Sequence, residues 1–163
     1  WAVALPAALE TTSTVSPFFQ TFLAAQVANN SRGFLSKGIT VAAMTQQSGD
    51  IHHIVPKDYL QKNGYPDRGD YNQVANYVLT ETSINISISN KPPAVYMAEV
   101  DEQIKTGKLT LGEITETGDL ARNLARNAVP DFLPEVDAGS YKEFLTERRR
   151  LMAAIIRDYY QTL

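Results

Sequence analysis

The stretch that decides this chain reads Gly49-Asp50-Ile51-His52-His53-Ile54-Val55-Pro56, and it holds both of the chain's histidines. A polar pair flanked by isoleucine and stopped by proline predicts the end of a short strand, because proline cannot donate to a ladder. Imidazole titrates near neutral pH and also ligates metals. Adjacent histidines can therefore divide two tasks: one holds a cation and the other takes a proton from water. Successive strand residues point to opposite faces. Both rings reach one site only if the strand twists or bulges there, or if His53 is its last residue. The plain alternative is one ring in the core and one in solvent. Asp50 reads as a turn cap rather than a ligand.

Outward from this pair the chain alternates helix signals with turns. Ser16-Pro17 starts a helix, with Phe18, Phe19, Phe22, Leu23 and Val27 at helical spacing and Asn29-Asn30 at its end. Gly38 to Met44 is short and apolar, readable as strand or helix. Asn63 to Asp70 is rich in turn residues and predicts a loop. Asn76 to Thr80 predicts a second short strand. Lys91-Pro92-Pro93 opens a further helix, Gly107 to Thr117 a polar link, and Asp119 to Asn127 a short helix ended before Pro130. Pro130 to Pro134 reads as irregular. In the last helix Tyr141, Phe144, Leu145, Leu151, Met152, Ile155, Ile156 and Tyr159 form one apolar stripe. Its Arg148-Arg149-Arg150 run is the strongest basic cluster. That run reads either as a phosphate contact or as a solvated face balanced by Glu143 and Glu147.

At 163 residues the chain fits one domain with a real core, spanning 1–163. No run is long and apolar enough to predict a membrane span, and no signal-peptide layout is seen. With no cysteine there is neither a disulfide framework nor a thiolate metal site, which fits a cytoplasmic location. Any metal site must be built from His, Asn, Asp, Glu and water. A start at Trp1 within apolar sequence suggests the C-terminal fragment of a longer protein. The net charge of −3 runs against the basic surplus of a nucleic-acid binder, so such contact must come from a local patch.

Three features follow the histidines in order: Asn76 in Ala75-Asn76-Tyr77-Val78-Leu79-Thr80, Asn85 in Ser83-Ile84-Asn85-Ile86, and Asn90-Lys91-Pro92 at a helix start. This order resembles the HNH, or ββα-metal, nuclease motif. His-Ile-Val-Pro and Asn-x-Val-Leu-Thr followed by a further Asn resemble the HNH domains of RNA-guided CRISPR nucleases. The wider pattern covers His52 to Leu60, Tyr71 to Asn76 and Thr82 to Pro93. It resembles the C-terminal nuclease domain of GmrSD-type restriction proteins, whose relatives include phosphorothioate-sensing anti-phage factors. Phe144-Leu145-x-x-Arg148 before an apolar helix is similar to that group as well.

The resemblance implies an α+β, mostly helical fold. A small ββα-metal HNH core at about 46–105 would be embedded among helical flanks, 1–45 and 106–163. It implies His53 as general base, His52 and Asn85 as metal ligands, and Asn76 as the residue that pins the loop and orients the base. Lys57, Arg68, Lys91 and Arg148 are candidate phosphate contacts. Phosphodiester hydrolysis needs a base for the attacking water and positive charge against the developing oxyanion, so these residue types suit the chemistry. One imidazole and one amide oxygen suit Mg²⁺ or Mn²⁺, while imidazole also accepts Zn²⁺ or Ni²⁺. The implied partners are DNA and an N-terminal nucleotide-hydrolysing sensor domain, in antiviral restriction by nicking. Oligomeric state is left open. Two other readings keep the same residues: a non-catalytic DNA- or partner-binding module, and an RNA-directed nuclease.

Overall fold

Proline, glycine and asparagine set several of the element boundaries. The computed structural model describes residues 2–47 and 51–163, so the expected turn cap at Asp50 lies outside the described residues. The helices are α1 (Ala4–Ala8), α2 (Pro17–Ala28), α3 (Val41–Gln46), α4 (Lys57–Lys62), α5 (Arg68–Tyr71), α6 (Thr82–Ile88), α7 (Pro93–Thr106), α8 (Thr117–Arg126) and α9 (Tyr141–Tyr160). Single 3₁₀ turns lie at Val74–Asn76 and Leu133–Glu135. Strands β1 (Ile51–His53) and β2 (Tyr77–Leu79) pair antiparallel, with Ile51 opposite Leu79, His52 opposite Val78 and His53 opposite Tyr77. The fold is thus α+β and mostly helical, around one two-stranded sheet among the described residues. No helix among the described residues is long and apolar enough to cross a membrane.

Local chemistry explains where the helices begin and end. Pro17 stands at the first position of α2 and Pro93 at that of α7, where a missing N–H costs nothing. Thr40 decides the ambiguous Gly38–Met44 stretch: its Oγ1 accepts from the Ala43 N–H at 3.1 Å, which caps α3. Gly107 ends α7 in the left-handed conformation at φ 71°. The loop expected over Asn63–Asp70 gives way at Arg68 to the single turn of α5. The stretch before Pro92 holds a separate helix, α6, closed by Ser89 at φ 51°.

The core lies between the ends of the chain. α9 packs on α1, α2 and the Val74–Asn76 turn, and the Leu133–Glu135 turn packs on α7. Phe19, Phe22, Phe34, Tyr96, Tyr141 and Phe144 are all buried. Phe19 meets Tyr77 edge-on at 6.2 Å, and Phe34 meets Tyr96 at 87°. Burial of each such ring contributes about 2–3 kcal/mol to the cohesion of the fold.

Three buried amides fix the long connections. Asn123 on α8 accepts from the Leu35 N–H at 2.8 Å and donates to the Gly33 and Ser36 carbonyls. Asn127 donates to the Arg32 carbonyl and accepts from Gln26. Gln103 on α7 accepts from the Thr110 and Leu111 N–H groups and donates to the Leu111 and Ile114 carbonyls. The expected polar link is therefore tied down, with Leu111 and Ile114 buried beneath it.

Candidate active site

His53 is the last residue of β1, which resolves the geometric difficulty of two adjacent strand residues serving one site. Beyond it the ladder continues for one bond, from the Ile54 N–H to the Asn76 carbonyl at 2.9 Å. The Tyr96 hydroxyl donates to the Ile54 carbonyl at 2.9 Å from α7. Asn76 then holds Val55 on both sides. Its Oδ1 accepts from the Val55 N–H at 2.9 Å, and its Nδ2 donates to the Val55 carbonyl at 3.1 Å and the Tyr71 carbonyl at 3.2 Å. Asn76 is fully buried. Its amide thus joins the exit of β1 to the connection that returns to β2.

The His53 ring is held from three directions. Its Nε2 lies 2.9 Å from Asn72 Oδ1. Tyr77 packs against it edge-on at 5.3 Å and Tyr71 at 6.2 Å. With Asn72 Oδ1 accepting, Nε2 carries the hydrogen and Nδ1 keeps the lone pair that can take a proton. Burial lowers the proton affinity of His53 below the ordinary histidine value. The Asn72 hydrogen bond works against that shift, and the Lys57 ammonium reinforces it. The ring is therefore neutral at pH 7, the state a general base needs.

His52, His53 and Asn85 line one open cleft of about 410 Å³, together with Pro56, Lys57, Asp58, Ile86, Ser89 and Asn90. β1 and the start of α4 form one wall. α6 forms the other with Asn85, and Ser89, the residue that closes the helix, adds to it. Imidazole, amide oxygen and a nearby carboxylate are donors that suit a divalent cation keeping part of its water shell. Among the described residues no three His, Asp or Glu side chains cluster as a closed protein cage. A cation here would be held by few protein atoms and stay open to phosphate.

The candidate phosphate contacts separate. Lys57 lines the cleft, and its Nζ also lies 5.5 Å from the centre of the Tyr71 ring. Arg68 is exposed on α5 and acts electrostatically on the Tyr77 phenol, opposing the rise that burial causes there. Lys91 does not line the cleft; its ammonium bonds both carboxylate oxygens of Glu99 at 2.7 Å.

Arg148 corrects the sequence reading: it is fully buried and reaches no surface phosphate. Its guanidinium donates to the backbone carbonyls of Tyr77 at 2.7 Å, Asn127 at 3.3 Å and Val74 at 3.5 Å. Burial pulls it down to about 9, so it stays charged at neutral pH. The arginine run does not share a face: Arg149 donates to Gln73 and Arg150 pairs with Glu147. Helical spacing carried the signal, since position 148 falls between Leu145 and Met152 on the buried stripe.

Asn72 and Asp58 are site residues that the sequence reading passed over. Asn72 lies in the quoted Tyr-Asn-x-x-Ala-Asn run, but nothing in a sequence says which amide meets a ring. Asp58 stands five residues past His53, in the first turn of α4, and reaches the cleft because α4 begins at once after Pro56.

No family model, curated protein or solved structure matches the chain.

Proposed function

We propose that this chain is a metal-dependent DNA endonuclease domain of the HNH, ββα-metal type, which nicks one strand per site. The observation that supports this reading most is the convergence of His52, His53 and Asn85 on one cleft, with His53 neutral and oriented by Asn72. A strand pair followed by helix α6 supplies that convergence, which is the layout the motif calls for.

In the proposed step His53 Nδ1 takes the proton of a water that attacks the phosphorus in line with the leaving oxygen. His52 and Asn85 would hold a divalent cation, with Mg²⁺ or Mn²⁺ favoured and Zn²⁺ or Ni²⁺ accepted by imidazole. When bound, it supplies positive charge against the charge developing on the phosphate. Asn72 fixes the ring and its tautomer, and Asn76 fixes the backbone that carries the ring. Lys57 adds a cation at the cleft. The biological setting we propose is anti-phage restriction, with DNA cleavage governed by an N-terminal nucleotide-hydrolysing sensor domain. The sequence resemblance is what supports that setting.

A second reading, a binding module without catalysis, is favoured by the net charge of −3. Plasmid nicking in Mg²⁺ or Mn²⁺ separates the two. The nuclease reading predicts nicking by the native chain and a loss of about 10²–10⁴-fold in His53→Ala, the range for a general base. Nicking by folded His53→Ala at the native rate would remove the base assignment. A native chain inert with every metal would favour the binding module.

A further inference from the structure

A second cleft, remote from the histidines in sequence, gathers positive charge in this acidic chain. It lies between the connection that follows α2 and one face of α8, and has a volume of about 410 Å³. Arg32 and Lys37 come from the connection, Arg122 and Arg126 from α8. Against these four cations Asp119 is the one carboxylate in the lining, and it pairs with Arg122 at 2.7 Å. The lining thus carries a formal charge of +3 (four minus one), while the whole chain carries −3. Glu81 stands at the margin, bonded by the Ser36 hydroxyl.

The cations sit on a fixed platform. Asn123 forms part of the lining and is only 6% exposed. Its amide bonds Gly33, Leu35 and Ser36, which locks the connection to α8. Gln26 ties α2 to the Arg126 carbonyl at 3.1 Å, and Arg126 donates to the Asn29 carbonyl at 3.2 Å. Cations carried on a concave backbone fixed in this way focus potential on an anion.

Helix α6 reaches the histidine cleft, and the residue before it is tied to the wall of the basic one. Ser36 lines the basic cleft and bonds Glu81, the residue preceding α6, while Asn85 of α6 and Ser89 just after it line the histidine cleft. α6 is about 10 Å long, a span that a DNA strand covers in a few nucleotides.

We propose that the basic cleft binds the phosphate backbone of the nucleic acid, several phosphates away from the bond that is cut. This inference rests on the nuclease reading for its choice of ligand. An open cleft whose cations come from two separate elements fits a chain of phosphates. It also supplies the local patch that an acidic chain needs in order to hold DNA.

The test measures binding and leaves cleavage aside. A fluorescent 20-base-pair duplex is titrated with the full chain without divalent metal, from 50 to 200 mM salt, and anisotropy is read. The variants are Lys37→Gln/Arg122→Gln and a control of equal charge, Lys108→Gln/Lys142→Gln, each checked by thermal unfolding. Losing two phosphate contacts should reduce the slope of log affinity against log salt by about 1.8. Affinity at 50 mM salt should fall at least tenfold, and the control should keep the native slope. Equal slopes in variant and control would overturn the proposal. So would weakened tripolyphosphate binding with an unchanged DNA slope, which would mark a small-anion site. Nicking by the native chain is scored separately. A native nuclease with an unaltered slope refutes the cleft alone, and an altered slope without nicking refutes the nuclease alone.

Discussion

Burial and hydrogen bonding oppose each other at His53, and burial wins, so in the metal-free protein its titration midpoint should lie below 6.5. Stability follows the same sign. The unfolded chain binds the proton first as pH falls, so the contribution of this ring is present above 6.5 and lost through the folded midpoint. Nuclear magnetic resonance titration of the ring checks this directly. Lys57→Met should move the midpoint up, and Asn72→Ala should move it further down, because the Asn72 bond favours the charged ring. Asn72→Ala should also slow nicking at least tenfold while costing less than about 1.5 kcal/mol of stability, the worth of one hydrogen bond. Asn76→Ala should behave in the opposite way. It leaves buried Val55 and Tyr71 groups without partners and should cost about 3 kcal/mol by denaturant unfolding. The strand ending at His52 and His53 was legible in the sequence, because a proline stop and β-branched flanks are local signals, whereas Asn76, expected to open the second strand, ends the 3₁₀ turn before it. The bond from Asn72 to His53 was not, since it depends on how the α5 turn folds back onto β1.

Elements differ in how far their sequence announces them. α9 was plain from its stripe, and α2 and α7 from their prolines. α6 was not, because Thr82–Ile88 alternates polar and β-branched residues and is poor in strong helix formers; the fold overrides that local preference. The same helix carries Asn85, so an error about an element would have become an error about the site. Arg148 shows the converse. Charge suggested the surface, while helical position suggested the core, and position was right. Arg148→Met keeps much of the volume but strands the carbonyls of Val74, Tyr77 and Asn127. It should cost about 3 kcal/mol in chemical denaturation. The salt dependence of DNA binding should not change, because the guanidinium never meets solvent.

Across the whole molecule the acidic total conceals an uneven distribution. The two clefts hold five cations, Lys57 at one and Arg32, Lys37, Arg122 and Arg126 at the other. Composition alone argued against nucleic acid; only the fold shows where the positive charge collects. A metal that binds the folded chain alone must also stabilise it. Mn²⁺ at 100 times its dissociation constant should add about 2.7 kcal/mol, read as a rise in melting temperature, and His52→Ala should abolish the rise. The most direct measurement is the position of a bound ion. In crystals soaked with Mn²⁺, anomalous scattering should give one peak in the histidine cleft, in bonding contact with a His52 ring nitrogen and Asn85 Oδ1, and none in crystals of Asn85→Ala. A native chain that nicks DNA with Mn²⁺ while the ion sits away from both residues would contradict the account.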